Sequence, residues 1–214
     1  MTIRSELFRE RLLSWWFGHR RSFPWRETHD PYRILLSEVM LHRTRADQVL
    51  KVYPEFLRRF PSLGDLASAS KRDVEEILRP LGLRWRARLV SLMARKLMKE
   101  HGGQIPSDPR KLKALPGVSE YIASAVMCFA FGVPQPLLDT NTVRIVGRVF
   151  GIPTRDASRR SKIFREAYRL LLDEERPREF NYAMLDLGAL LCRARRPLCK
   201  VCPVRELCEY GKSR

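Results

Sequence analysis

The chain has 214 residues, with 41 lysines and arginines against 24 aspartates and glutamates, so its formal net charge is +17 and its pI is about 10.4. A hydrophobic fraction of 44% is sufficient for a packed core, which excludes a collagen-like or wholly disordered chain. The basic excess favours a polyanionic partner, and no apolar stretch reaches the roughly 20 residues that span a bilayer, which excludes a membrane-embedded chain.

Apolar residues recur at helical spacing along the whole chain, so the fold class that we predict is all-α. Asp30 followed by Pro31 is a strong helix start. Thr44–Asp47 and Ser70–Asp73 each place a hydroxyl three residues before an acid, as a capping box does. The predicted helices, in chain order, are Ile3–Phe17, those that open at Asp30, Thr44 and Ser70, and then Arg84–His101, Pro109–Leu115, Glu120–Phe131, Thr140–Phe150, Ala157–Leu172 and Glu179–Cys192.

The cysteines give the most specific signal. The charged N-terminus does not resemble a signal peptide, so we expect a cytoplasmic chain with reduced thiols rather than disulfides. Four of the five cysteines have the spacing C-x6-C-x2-C-x5-C, and the arginine-rich segment around them has too little apolar content to bury each thiol separately. Structural zinc sites usually join two short pairs of cysteines, so we favour a [4Fe-4S] cluster over zinc. The predicted ligands are Cys192, Cys199, Cys202 and Cys208, whereas Cys128 is interpreted as a core residue.

A second signal is the segment Leu115–Ser119, which predicts a tight glycine turn between two helices. Such a turn exposes successive backbone N–H groups, which can bind a DNA phosphate without reading the base sequence. The segment therefore indicates a helix-hairpin-helix with Gly117, Val118 and Ser119 as candidate DNA contacts. An ordinary helical hairpin is the alternative.

A third signal is Asp139, which directly precedes the predicted helix Thr140–Phe150. An aspartate in this position is a good N-cap, a role that requires no chemistry. A carboxylate beside a phosphate-binding hairpin is also well placed to stabilise positive charge that develops on a deoxyribose.

These three signals occur together in an order that resembles the endonuclease III superfamily of DNA glycosylases. The resemblance extends from Phe23-Pro24-Trp25-Arg26 through Asp30-Pro31-Tyr32 and Ser37–Leu41 to Cys208. It implies two helical domains with the active site in the cleft between them. They are a six-helix barrel with the hairpin, expected at residues 23–137, and an iron-sulfur domain, expected at 1–22 and 138–214. We expect a monomer that is associated with the nucleoid and acts on double-stranded DNA with a mismatched or deaminated base.

The resemblance also implies the chemistry. Bifunctional members use a lysine at the position that matches Tyr121, and a phenol cannot form an imine, so we predict a monofunctional glycosylase without strong lyase activity. The carboxylate of Asp139 then stabilises the oxocarbenium-like sugar of a flipped nucleotide, with Asn141 in support. Glu38 matches a carboxylate that lines the base pocket and protonates the base or positions water. A surface glutamate is the ordinary alternative for Glu38.

Two branches of this superfamily use water. They are the thymine/uracil mismatch glycosylases and the adenine glycosylases that act opposite guanine or oxidised guanine. The segment 41–44 is closer to the thymine branch, and adenine glycosylases normally continue into a further domain beyond the position of Cys208. We therefore expect excision of thymine or uracil mispaired with guanine, with adenine excision as the alternative. A non-catalytic iron-sulfur protein that binds mismatches is a different class, against which the presence of both Asp139 and Glu38 argues.

The same resemblance implies that side chains fill the gap left by a flipped base. The matching positions are His42 or Arg43, and Leu83. Arg43 is also a candidate reader of the orphaned guanine, although an arginine in so basic a chain is more often a phosphate contact. Trp85 suits either a DNA-facing surface or the core. Ser119 occupies a position that is usually glycine in this superfamily, where it is expected to cap the following helix.

Overall fold

The computed structural model describes residues 3–82 and 85–214, the side chain of Asp156 excepted. No residue among these is in a β-strand, which confirms the all-α class, and none of the helices that they form is long and apolar enough to cross a membrane. The α-helices of the described residues are α1 (Ile3–His19), α2 (Pro31–Leu41), α3 (Ala46–Arg59), α4 (Leu63–Ser68), α5 (Lys71–Leu78), α6 (Trp85–His101), α7 (Pro109–Lys113), α8 (Glu120–Phe131), α9 (Thr140–Phe150), α10 (Lys162–Leu171), α11 (Pro177–Leu190) and α12 (Glu209–Lys212).

The chain divides into two compact units. One unit is Ser22–Phe131 and contains α2 to α8, whereas the other combines the residues up to Arg21 with Gly132–Arg214 and contains α1 and α9 to α12. The first helix therefore belongs to the same unit as the four cysteines. The assignment of a barrel domain to 23–137 and of a cluster domain to 1–22 and 138–214 stays a prediction.

In the unit Ser22–Phe131, α2 is buried on nearly every side. Asp30 is its N-cap, as predicted, because its Oδ1 accepts hydrogen bonds from the backbone N–H groups of Tyr32 and Arg33. The helix packs against α3 and α8, while α6 packs against α4 and α5. Its apolar residues Leu35, Leu36, Val39 and Met40 are at most 5% exposed. A helix buried in this way places even its polar side chains inside the unit.

In the other unit, α9 packs against α10, α11 and α12, and α1 packs against α10 and α11. The carboxylate of Asp186 on α11 is fully buried. It accepts hydrogen bonds from Trp16 Nε1 at 2.9 Å and from Arg21 Nε at 2.6 Å. Pairing with an arginine satisfies a charge that would otherwise be costly to bury, so these bonds fix the end of α1 to α11.

The predicted capping box at Thr44–Asp47 is wrong. The third helix begins one residue later than a Thr44 cap requires, at Ala46, and its N-cap Arg45 makes no side-chain capping bond. The hydroxyl of Thr44 instead accepts a hydrogen bond from Arg86 Nη2 at 2.9 Å. The Thr44 hydroxyl therefore bonds Arg86, which is distant in the sequence, instead of capping the helix that the local pattern predicts.

Among the other predicted helices, one predicted N-cap is confirmed and several predicted bounds differ from those observed. Ser70 is confirmed as an N-cap, since its Oγ accepts a hydrogen bond from the Asp73 N–H at 3.2 Å. The predicted helix Ala157–Leu172 is interrupted at Ser161, whose extended backbone separates a 3-10 turn at Asp156–Arg160 from α10. The last long helix begins at Pro177 rather than at Glu179, and it ends at Leu190.

Candidate functional site

The four C-terminal cysteines lie in one segment of one unit, Cys192–Cys208, which we call the cysteine loop. All four thiols are half-buried. Burial, with a smaller contribution from the other three thiols of the loop, raises the pKa of the Cys202 thiol to about 11. The four sulfur atoms are therefore close enough to interact electrostatically. Cys128, in contrast, is fully buried in α8, which confirms that it is a core residue.

Two arginines of α9 hold this loop. Arg148 Nη1 donates to Cys192 Sγ at 3.3 Å and to the Arg193 carbonyl at 2.8 Å. Arg144 Nε donates to the Cys192 carbonyl at 2.8 Å. No three His, Cys, Asp or Glu side chains within the described ranges already surround a single metal position. Four thiols with a guanidinium N–H directed at one sulfur are nevertheless a donor set that suits a thiophilic iron-sulfur centre.

Asp139 is the N-cap of α9, as predicted, and its carboxyl group is fixed on both sides. Its Oδ1 accepts from the Thr142 N–H at 2.7 Å, and the Asp139 N–H donates to Thr142 Oγ1 at 2.9 Å, which completes a capping box. Its second oxygen, Oδ2, accepts from Asn141 Nδ2 at 3.1 Å. The carboxylate is thus held in one orientation at the N-terminus of a helix, where the helix dipole favours negative charge.

A chain of hydrogen bonds connects Asp139 with the cysteine loop. Asn141, which bonds Asp139, accepts through its Oδ1 from Arg144 Nη2 at 2.9 Å. Arg144 also donates to the carbonyls of Gly188 and Cys192. A Cβ atom at Gly188 would lie 2.7 Å from Asn141 Cβ, so this position must be glycine for Asn141 to keep its place. Arg144 carries no signal in the sequence that distinguishes it from the other arginines.

The hairpin lies in the unit Ser22–Phe131, between α7 and α8. Gly117 has a left-handed backbone with φ of 81°, which favours glycine, and a Cβ atom there would lie 3.2 Å from Leu89 Cβ. The Val118 N–H donates to the Leu115 carbonyl at 3.2 Å, so this group closes the turn. Ser119 Oγ accepts from the Ile122 N–H at 3.3 Å, the helix-capping contact expected for a serine at this position.

Gly117→Ala is expected to weaken binding to undamaged duplex DNA by about tenfold. The left-handed backbone of this turn costs alanine roughly 1–2 kcal/mol, so the turn is expected to shift away from the conformation that binds phosphate. Fluorescence anisotropy with a labelled duplex measures this loss. Gly132→Ala is the matched control, since Gly132 has φ of 69° and a Cβ atom added there would have no described atom within 4 Å. Gly132→Ala should lower the stability of the protein but leave its affinity for the duplex unchanged. Equal duplex affinity of the two variants would contradict a phosphate-binding role for the hairpin.

Glu38 and Tyr121 lie in the same unit as the hairpin. Glu38 is on the buried helix α2 and is only 5% exposed, so the alternative of an ordinary surface glutamate is wrong. Tyr121, in the first turn of α8, is half-buried. A glutamate is rarely buried to this degree, which favours a chemical role for Glu38.

The segment that follows α2 has an unusual backbone. Arg43 is the one described non-glycine residue with a left-handed φ, at 59°, and its side chain is exposed. His42 lies beside Trp85, with the two ring centroids 6.5 Å apart in an edge-to-face arrangement. Trp85 is 44% exposed and therefore not a core residue, whereas Arg86 is only 1% exposed and does not face solvent. Leu83, the third predicted wedge residue, lies outside the described residues.

Comparison with known proteins identifies the family. Residues 36–170 match the HhH-GPD superfamily of base excision DNA repair proteins. The chain belongs to this superfamily. It is 44% identical to the thymine-DNA glycosylase of Aeropyrum pernix, an alignment that covers 97% of this chain and 95% of the relative. It is 39% identical to the thymine/uracil-DNA glycosylase of Pyrobaculum aerophilum, with coverages of 97% and 93%.

Two further comparisons also relate this HhH-GPD protein to DNA glycosylases. A solved structure described as a thermostable thymine-DNA glycosylase matches with a TM-score of 0.90 at 32% identity and covers 99% of this chain and 98% of that chain. Human adenine DNA glycosylase is 37% identical over 94% of this chain, which spans only 39% of that relative. The likeness to the thymine branch therefore extends over whole proteins, whereas the likeness to the human adenine enzyme is confined to part of it.

The predicted site residues of this HhH-GPD chain fall into two groups. Asp139, Asn141 and the four cysteines lie in the unit that contains α9, and Arg144 bonds both Asn141 and the Cys192 carbonyl. The residues predicted to contact the base and the DNA lie in the unit Ser22–Phe131, and those described there are Glu38, His42, Arg43, Gly117, Val118, Ser119 and Tyr121. The sequence gives no indication of the parts played by Arg86 and Arg144, because an arginine signals only positive charge unless its partners are known.

Proposed function

We propose that this protein is a monofunctional DNA glycosylase that hydrolyses the N-glycosidic bond of thymine or uracil mispaired with guanine and leaves an abasic site. The observation that carries the proposal is the fixed carboxylate of Asp139, in a chain whose nearly full-length relatives are thymine and thymine/uracil glycosylases. Double-stranded DNA is the partner, and a net charge of +17 supports a strong, salt-dependent contact with its phosphates.

The proposed reaction begins with the target nucleotide flipped out of the duplex. As the glycosidic bond breaks, positive charge develops on the deoxyribose, and the carboxylate of Asp139 stabilises it. Thr142 and Asn141 already hold that carboxylate in place, so little reorganisation is needed when the charge appears. Water then attacks the sugar and completes the hydrolysis.

Two residues of the other unit are assigned roles in the same reaction. The buried carboxyl group of Glu38 protonates the departing base or positions the water. By the resemblance to the endonuclease III superfamily, Tyr121 matches the lysine of bifunctional members, and its phenol offers no amine for an imine. The enzyme therefore releases the base without cutting the strand.

We assign the cysteine loop to a [4Fe-4S] cluster held by Cys192, Cys199, Cys202 and Cys208. The N–H···S bond from Arg148 supports this assignment, because such bonds stabilise thiolate ligands. When bound, the cluster supplies iron-thiolate bonds that fix the loop in one shape. Arg144 and Arg148 then keep the loop attached to α9, the helix that Asp139 caps.

The experiment that tests the proposed function uses end-labelled duplexes that contain G·T, G·U, adenine opposite oxidised guanine, or no mispair. Each is incubated with the protein and read with and without hot alkali, which cleaves only at abasic sites. We expect alkali-dependent cleavage at the thymine and the uracil. Borohydride should trap no covalent adduct with the wild-type protein, and Tyr121→Lys serves as the positive control because it places an amine at the nucleophile position.

Two outcomes would contradict the proposed excision of thymine or uracil. Cleavage only opposite oxidised guanine would assign the chain to the adenine branch. Tight binding to the mispairs without product from any duplex would identify a binding protein instead. An adduct trapped by the wild-type protein would contradict the monofunctional mechanism alone.

A further inference from the structure

Arg86 is a buried arginine whose hydrogen-bond acceptors, among the described residues, are all uncharged. It is 1% exposed, and burial lowers the pKa of its guanidinium. Its Nη atoms donate to the Met40 carbonyl at 3.0 Å, to the His42 carbonyl and to Thr44 Oγ1 at 2.9 Å. Its Nε has no hydrogen-bond partner within the described part of the chain. Burying a cation without a carboxylate partner is unfavourable, so the position of Arg86 needs a reason beyond packing.

The three acceptors belong to one short stretch. Met40 is in the last turn of α2, where backbone carbonyls lack partners within the helix and the helix dipole favours a cation. His42 and Thr44 lie directly before and after Arg43. The guanidinium of Arg86 therefore hydrogen-bonds the residue before Arg43 and the residue after it.

The backbone of Arg43 is the strained part of this stretch. A left-handed conformation is unfavourable for any residue with a Cβ atom, yet Arg43 adopts it with φ of 59°. Its side chain is exposed, whereas the side chain of Arg86 behind it is buried. Strained conformations persist only where the surroundings determine them, and the bonds of Arg86 supply that constraint.

We propose that Arg86 is a positioning residue that presets the segment His42–Thr44 for contact with the mispair. The proposal rests on the proposed function, since it requires this segment to meet the guanine or the gap opposite the excised base. Holding the segment in one conformation before binding removes the entropic cost of ordering it on the DNA. Trp85, the neighbour of Arg86, contacts the His42 ring and constrains the same segment through a second contact.

The test compares Arg86→Met, which removes all the donors, with Arg86→Lys, which keeps the charge but has fewer donors. Arg88→Met is the matched control, because Arg88 is an exposed arginine on the same helix. Thr44→Val and Thr44→Ser form a second pair that leaves the buried arginine in place; only the first of them removes the acceptor. Melting curves verify that each variant is folded.

Two measurements are made on every variant. The first is the rate of limited trypsin cleavage after Arg43, identified by mass spectrometry, which reports on the segment without any activity. The second is the ratio of the excision rate of thymine opposite guanine to that of thymine opposite an abasic analogue, where no base is available to be read. We expect Arg86→Met to accelerate the cleavage and to lower the ratio by about tenfold, because bonds to charged donors are lost. Arg86→Lys and Thr44→Val should show smaller changes, and Arg88→Met and Thr44→Ser should show none.

The possible outcomes separate this inference from the proposed function. Unchanged cleavage in both Arg86→Met and Thr44→Val would overturn it. Faster cleavage with an unchanged ratio would also overturn it, since Arg86 would then support the fold alone. A wild-type protein that excises neither thymine would contradict the proposed function; the ratio of dissociation constants for G·C and G·T duplexes then replaces the rate ratio and tests Arg86 by the same criterion.

Discussion

Asp139→Asn is expected to slow the excision of thymine from a G·T duplex by about 10²- to 10³-fold, measured under single-turnover conditions. The substitution removes the negative charge that stabilises the sugar but keeps the shape of the side chain. Asparagine is also a good N-cap, so its Oδ1 can still accept from the Thr142 N–H. The amide nitrogen would face Asn141 Nδ2 as a second donor, which limits the expected loss of stability to about 1 kcal/mol.

The control for this variant is Asp108→Asn. Asp108 caps α7 in the same manner, with its Oδ1 accepting from the N–H groups of Arg110 at 2.7 Å and Lys111 at 3.4 Å. The two variants therefore undergo the same chemical change at the same kind of helix terminus. We expect Asp108→Asn to retain normal excision. Retained excision in Asp139→Asn as well would show that Asp139 is only a helix cap.

The cap at Asp139 can be predicted from the sequence because its partners are close along the chain. An aspartate before a helical pattern predicts the N-cap, and the atoms that satisfy it, those of Thr142, come three residues later. The same holds for Asp30 and Ser70, whose capping partners are within three residues. The buried faces of α2 and α8 follow from the helical period of their apolar residues. All of these features depend on neighbours along the chain and can be predicted from it.

The role of Thr44 could not be predicted from its neighbours in the sequence. Thr44 and Asp47 have the spacing of a capping box, yet Arg86, which is 42 positions away, bonds the hydroxyl. A fully buried arginine whose described acceptors include no carboxylate contradicts the usual distribution of charged residues, so no composition rule predicts it. The conflict between local pattern and tertiary contact falls on the segment that we assign to DNA recognition, where such conflicts are expected.

The role of Arg144 cannot be predicted from the sequence for the same reason. Its acceptors are Asn141 and the Thr140 carbonyl in its own helix and the carbonyls of Gly188 and Cys192, of which the last is 48 positions away. The sequence indicates a capping aspartate and a group of cysteines, but not that one guanidinium connects them. The hydrogen bonds of Arg144 therefore connect Asp139, through Asn141, with the cysteine loop.

Cys202→Ala should therefore affect both the cofactor and the reaction. Cys202 is chosen because its thiol interacts electrostatically with the other three thiols of the loop. Loss of one ligand should lower the iron and sulfide content and destabilise the protein by at least about 3 kcal/mol. That loss corresponds to a fall of roughly 10 °C in melting temperature for a chain of this size. Iron and sulfide analysis, visible absorption and thermal melting measure these effects on protein purified without oxygen.

Cys128→Ala is the matched control, since Cys128 is fully buried in α8 and its replacement leaves the loop intact. It should keep its iron and its excision rate. Cys202→Ala should excise thymine more slowly than the wild type, because a displaced Cys192 carbonyl no longer holds Arg144 against Asn141, the residue that bonds Asp139. One zinc ion and no sulfide in the wild-type protein would contradict the cluster assignment, whereas normal excision by an iron-free Cys202→Ala would contradict the dependence of Asp139 on the loop.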